Sequence, residues 1–209
     1  MCKFTTIILL CVAFFVFSTQ VEAQNADINL LKTLNGSSSI TASEFISNTT
    51  TAVSFATPAI IGIVALIEKD DEMLKNSLYI GASIGVDGVL TYGLKKIIGR
   101  PRPSISYPND IVAFESVSSL SMPSGHTSLS FATATALSIK YPKWYIIAPS
   151  YLWACSVGYS RMNLGVHYPS DVLAGAVLGA GSAYVTNKLN GWFWKKQNDK
   201  KLIGLQSYL

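Results

Sequence analysis

The chain has 209 residues, of which 13% are charged and 49% hydrophobic, with a formal net charge of +4. Soluble domains carry about a quarter charged residues, so this balance points towards lipid, and a mild, unclustered excess of cations gives no ground for a nucleic-acid partner. The length suits one domain with a sizeable core and is short for two.

Residues 1–23 read as an export signal, with Lys3 as the positive start, Phe4 to Phe17 as the apolar stretch and Val21-Glu22-Ala23 as the cleavage site. A retained first membrane helix is the other reading, and in both Gln24 emerges on the far side of the membrane. Residues 24–209 are then expected to form a single domain. Cys2 and Cys11 lie in the leader, whereas Cys155 stands alone in an apolar run, where core packing is expected of it. No CxxC or Cys/His zinc pattern occurs.

After the leader, Ile28, Leu31 and Leu34 make a short amphipathic patch suited to a membrane surface. Thr41-Ala42-Ser43-Glu44 matches a capping box and predicts a helix start there. An uncharged run follows over 45–67, with Pro58 as an expected kink, and residues 68–76 form a charged turn. Four more apolar stretches cover 77–94, 125–139, 144–160 and 172–187, and only Asp87 interrupts them with a charge. A surface helix of a soluble protein shows a charged face. These show none, which predicts an all-α, membrane-embedded bundle of about five helices, six with a retained leader. Gly175 and Gly179 form a GxxxG pair suited to close helix contact in lipid. Several stretches are short of the ~20 residues a spanning helix wants, so a soluble exported helical domain is the alternative. Asp87 is expected to partner a buried polar neighbour.

Alternation of five helices from an external Gln24 puts residues 95–124 and 161–171 on one outer face, and the basic tail WFWKKQNDKK inside. The outer loops nevertheless carry Lys95, Lys96, Arg100, Arg102 and Arg161, against the positive-inside rule, so those cations need another task. Between His126 and Ser160 the chain goes down one helix and back by another. At ~1.5 Å per residue each leg covers roughly 25 Å and ends at the same level.

Three segments therefore meet: KKIIGRPRP from Lys95, PSGH from Pro123 and SRMNLGVHYPSD from Ser160. Each suits a phosphate ester. Lys95 and Arg102 supply fixed positive charge, and the guanidinium fork of Arg102 matches two phosphate oxygens. Ser124 reads as an N-cap that leaves helix N–H groups facing an anion, Gly125 permits close backbone approach, and Arg161 is a second fork. Pro169 opens the last helix, leaving His167 at its mouth and Asp171 in its first turn. A carboxylate there can hold one imidazole nitrogen and make the other a nucleophile. Both histidines of the chain lie inside these segments.

Together the three segments resemble the signature of the type 2 phosphatidic acid phosphatase superfamily, which also contains soluble bacterial acid phosphatases and vanadium haloperoxidases. The resemblance covers about residues 45–190, and no position of the signature is missing. It implies that His167 attacks phosphorus to form a phosphohistidine and that Asp171 orients it. It implies too that His126 protonates the leaving oxygen and then activates water. Lys95, Arg102, Ser124, Gly125 and Arg161 would bind the phosphoryl oxygens. No cofactor is expected, and no carboxylate cluster able to hold metal ions is visible, in agreement with a metal-free mechanism. The expected partner is a phosphorylated lipid in the membrane, with no obligate protein partner, and the expected place is the periplasmic face of a bacterial inner membrane. Phosphatidic acid, phosphatidylglycerophosphate, a polyprenyl diphosphate and a lipopolysaccharide anchor are the candidate substrates. A soluble exported acid phosphatase, a vanadate-binding halide oxidase and a non-enzymatic phospholipid-binding scaffold are the alternatives. The polar loop 104–122 is expected to shape the substrate entrance.

Overall fold

A computed structural model of the chain describes residues 22–116 and 120–206, with side chains over 26–116 and 120–191. Residues 1–21, with Cys2, Cys11 and nearly all of the expected leader, lie outside the described residues, as do the side chains of the basic tail. The described residues form helices α1 (Glu22–Leu34), α2 (Ile40–Glu68), α3 (Asp71–Ile98), the one-turn α4 (Pro103–Ser106), α5 (Gly125–Lys140), α6 (Trp144–Asn163) and α7 (Pro169–Gln206). The five long ones are the five expected.

Local chemistry sets their ends. The N-cap of α2 lies two residues before the one predicted: it is Ser39, not Thr41, and its Oγ accepts from the N–H of Ala42 at 3.3 Å. The chain has already turned at Gly36 (φ 68°), and Asn163 fixes the turn by accepting from the N–H groups of Gly36 and Ser38. The helix runs on through Pro58 and ends at Lys69, which takes the left-handed conformation. Asp70 then caps α3, its Oδ1 accepting from Glu72 and Met73 N–H at 2.9 Å each. The charged turn expected over 68–76 is thus two residues long: Glu68 closes α2, and residues 71–76 open α3.

The helices hide their small polar residues and show their large apolar ones. α2 turns Ser43, Ser47, Thr50 and Ser54 inward, while Phe45 is 71% and Ile67 73% exposed. Val89 on α3, Trp144 and Leu152 on α6, and Val177 on α7 are likewise exposed. An apolar exterior on the four long helices that surround α5 is the arrangement of a bundle solvated by lipid. By length and composition together only α2 among the described helices qualifies as a span, with mean hydropathy 2.0. α5 has 16 residues, ~24 Å of helix. The inner faces of α3, α5, α6 and α7 carry serines, threonines and site residues that lower their hydropathy. Cys155, expected in the core, is exposed, because on these helices an apolar run marks the outer face.

α5 lies at the centre, touching α2, α3, α6 and α7. Its contact with α7 is backbone to backbone: a Cβ on Gly175 would sit 2.6 Å from Ser124 O, and one on Gly179 2.0 Å from Ser128 O. The GxxxG pair therefore clamps the two helices that carry the candidate histidine segments. Asp87, 1% exposed, accepts from Ser128 Oγ across the α3–α5 contact, the polar partnership expected of it. α1 departs from expectation. Ile28 and Leu31 are buried against Ile111 and Tyr168, so the patch packs onto the loops at the end of the bundle instead of onto a membrane surface.

Candidate active site

Those loops bring the three segments together. The last turn of α3 carries Lys95, whose Nζ donates to the carbonyls of Leu120 (3.4 Å) and Ser121 (3.1 Å). Gly99 (φ 64°) ends α3 and turns the chain into Arg100-Pro101-Arg102. Pro101 bridges to Leu120, and Ser121 N–H donates to Arg100 O, so the two strands of loop leading into α4 and α5 run side by side. Ser124 holds the N-cap position of α5, and its N–H donates to Asp171 O at 3.0 Å. Its side chain does not cap, contrary to the reading from sequence: Oγ accepts from Thr127 Oγ1 instead. No side chain then caps the first-turn N–H groups of α5. A Cβ on Gly125 would lie 3.9 Å from Lys95 Cε, which places the lysine stem over this helix mouth. His126, half-buried, has Arg161, Glu115, Arg102 and Lys95 as its electrostatic neighbours.

His167 lies in the tight turn between α6 and α7, made possible by Gly165 (φ 70°), where a Cβ would meet Val112 O at 2.2 Å. The ring is 1% exposed. Its Nε2 stands 3.0 Å from Arg102 Nη1, and its Nδ1 3.4 Å from Asp171 Oδ2. A guanidinium can only donate, so Nε2 must be bare, and the proton of the neutral ring sits on Nδ1, towards Asp171. Burial pushes the His167 pKa down to about 3; Asp171 opposes this and the Arg102 charge adds to it. The imidazole is therefore neutral at physiological pH with its lone pair on Nε2. Arg102, also buried, has its pKa lowered to about 10, by burial first and by Arg161 second, and remains a cation.

Asp171 is fully buried and held at both oxygens. Oδ2 accepts from Ser121 Oγ and from Tyr168 N–H (2.9 Å), and Oδ1 from Arg100 Nη1 at 2.7 Å. The Arg100 guanidinium stacks 3.8 Å from the centre of the Tyr168 ring and reaches Asp27 of α1 with Nη2 at 2.8 Å. Burial works against its charge, but Asp171 and Asp27 outweigh burial and hold its pKa above the ordinary value.

Arg161, 1% exposed, donates from Nη1 to Ser47 Oγ of α2 and grips Glu115 with both Nη1 (2.6 Å) and Nη2 (3.3 Å). A carboxylate in that fork occupies the geometry a phosphate would take. The loop behind Glu115 is pinned by Asn35, whose Oδ1 and Nδ2 pair with Val112 N–H and C=O.

All eight residues singled out in the sequence lie at this one end of the bundle. The cations expected on the outer face, Lys95, Arg100, Arg102 and Arg161, are gathered here, and Lys96 is exposed. Four contributors were missed: Arg100, Asp27, Ser121 and Glu115. Arg100 was visible inside the first segment as a charge with no assigned partner. Nothing local marks the other three, since each meets the site from a distance in sequence.

A family model described as the PAP2 superfamily matches residues 76–195. Lipid A 1-phosphatase of Rhizobium johnstonii is 32% identical over 52% of this chain and 45% of its own length. The decaprenylphosphoryl-5-phosphoribose phosphatase of Mycobacterium tuberculosis is 30% identical over 64% of this chain and 70% of that protein. The crystal structure of a transmembrane PAP2 type phosphatidylglycerolphosphate phosphatase from Bacillus subtilis superposes with a TM-score of 0.67 at 25% identity, covering 90% of this chain and 94% of that one. The chain spans about half the length of the first of these relatives, at 45%.

Proposed function

This chain belongs to the PAP2 superfamily, and from that premise we propose that it hydrolyses the phosphate of a membrane lipid through a phosphohistidine on His167, at the periplasmic face of a bacterial inner membrane. The observation that carries the reading is the state of His167: a buried, neutral imidazole with Nε2 bare beside Arg102 and its N–H towards Asp171. That is the tautomer a nitrogen nucleophile needs.

In the first step Nε2 attacks phosphorus as the phosphate–alkoxide bond breaks. Arg102 and Arg161, with Lys95 and the open N–H groups of α5, surround the phosphoryl oxygens, whose spreading charge is what phosphoryl transfer must stabilise. Asp171 stabilises the positive charge that develops on the ring. His126 gives its proton to the leaving alkoxide, then takes one from the water that attacks the phosphohistidine. The 3.4 Å His167–Asp171 contact tightens when the ring becomes cationic, as catalytic contacts do on loading.

A phosphorylated lipid fits because the site opens at the end of a bundle whose outer surface is apolar, so the acyl or prenyl chain can stay in the bilayer while only the phosphate leaves it. The named relatives act on lipid A, a decaprenyl phosphosugar and phosphatidylglycerophosphate, and their common element is a phosphate at the membrane surface.

Brief reaction of the purified full chain with a radiolabelled lipid phosphate, quenched in alkali, should leave acid-labile phosphate on the protein. His167→Ala should abolish both this label and turnover while the protein stays inserted. Label retained in the variant would move the nucleophile elsewhere.

A further inference from the structure

We infer that Arg100 and Asp27 form a positioning relay for the reaction, by which α1, outside the 76–195 region matched by the family, governs the nucleophile from two side chains away. The inference rests on the reading of His167 as nucleophile and Asp171 as its orienting carboxylate.

Asp171 is a carboxylate with no access to water, and such a group persists as an anion only if its oxygens are paired. Oδ2, the oxygen that faces His167, is shared with Ser121 and the Tyr168 N–H. Those two bonds hold Oδ2, and a grip on Oδ1 is what fixes the second oxygen and with it the carboxylate plane about Cβ–Cγ. Arg100 Nη1 provides that grip at 2.7 Å. Arginine has several rotatable bonds, so its own position needs explanation. Three contacts supply it: the same Nη1 donates to Ser170 Oγ at 2.7 Å, the guanidinium stacks on Tyr168, and Nη2 pairs with Asp27 Oδ2.

Asp27 closes the relay. It is 9% exposed and divides its oxygens between two duties. Oδ1 accepts the N–H of Ser170, in the first turn of α7, and Oδ2 accepts from Arg100 and from Ser170 Oγ. α1 is held there by Ile28 and Leu31 against Ile111 and Tyr168, and by the Lys32–Asp110 ion pair at 3.0 Å. The order Asp27, Arg100, Asp171, His167 thus alternates anion, cation, anion and the ring that must become a cation. Both new members act on His167 through Asp171: Arg100 binds Oδ1 while the ring faces Oδ2, and Asp27 binds Arg100.

That placement separates positioning from binding. Arg100→Gln should slow phosphoenzyme formation from nitrophenyl phosphate by about 100-fold, less than the ~10⁴-fold lost with an orienting carboxylate itself because Asp171 stays in place, while competitive inhibition by orthophosphate stays within about 3-fold. Arg100→Lys, which keeps a charge but not the fork, should recover part of the rate. Asp27→Asn should cost about 10-fold in kcat with KM unchanged, and should cost nothing further in an Arg100→Gln background, since the two act along one line. Orthophosphate inhibition weakened in step with kcat would make Arg100 a phosphate ligand and overturn the proposal, as would independent, fully multiplying losses in the double variant. If Arg100→Gln fails to insert, Arg100→Lys and Asp27→Asn decide: normal kcat in both removes the relay. A His167→Ala control reports on the underlying reading separately, because activity retained there faults the nucleophile and not the relay.

Discussion

At the scale of single residues, the site is arranged around which partner each cation already has. Arg100 is committed to Asp171 and Asp27, and Lys95 to two loop carbonyls, whereas the Arg161 fork is filled by Glu115, a side chain still 32% exposed. On the proposed reading a substrate phosphate takes that fork, so binding must first separate Arg161 from Glu115, and part of the phosphate's interaction energy goes into displacing an anion of similar shape. Glu115→Gln keeps the size and weakens the charge. Inhibition by orthophosphate or vanadate should tighten by about tenfold, on the order of the ~1.4 kcal/mol separating a charged from a neutral partner for arginine, with a parallel fall in KM. Unchanged or weaker inhibition in a dose–response series would mean that Glu115 leaves the fork without competition. The residue was hidden in the sequence because loop 104–122 looks merely polar; Asn35, far upstream, and the Phe114 N–H bond to Leu164 O pin the loop so that Glu115 faces Arg161.

At the scale of elements, the site depends on how closely α5 and α7 approach, because Ser124 and Asp171 are joined through backbone at their upper ends. Gly179 lies two turns below that junction, and a methyl group there would stand 2.0 Å from Ser128 O and 2.8 Å from Ala132 N. Backbone cannot yield as a flexible side chain can, so the helices must part. Gly179→Ala should cost about 1–3 kcal/mol, read as a lower melting temperature in detergent, together with a large loss of phosphatase rate. Gly181→Ala, where nothing lies within 4 Å, should change neither. Equal melting of the two variants would show that the contact is looser than the geometry gives. This clamp was legible as GxxxG, as were the five long helices and the meeting of three segments, because each follows from spacing along one or two neighbouring elements. α1 was not. Its Ile28–Leu31 patch carries the same pattern whether it meets lipid or protein, and the deciding partners, Ile111 and Tyr168, are far away in sequence. The capping box at Thr41 failed for a related reason: Asn163, from another helix, turns the chain two residues earlier.

At the scale of the whole molecule, the bundle is apolar outside and polar within, and Cys155 can report on what surrounds it. It lies in the middle of α6, exposed, on a helix whose Leu152 and Tyr159 are 71% and 37% exposed. In water such a thiol meets any reagent that diffuses. In a bilayer the same thiol faces hydrocarbon, which a charged maleimide does not enter. In sealed membrane vesicles carrying the full chain with Cys2→Ser and Cys11→Ser, Cys155 should resist a sulfonated maleimide and react once the membranes are dissolved in denaturing detergent. A second probe sets the orientation. Asn109→Cys, in the same background, puts a thiol on the exposed surface of the loop at the site end of the bundle. From outside intact spheroplasts it should label with the sulfonated reagent at once, as a periplasmic site requires. Labelling of Cys155 in sealed membranes would favour a soluble, exported phosphatase of the same fold. Protection of both thiols until lysis would keep the bundle in the membrane but turn its site to the cytoplasm.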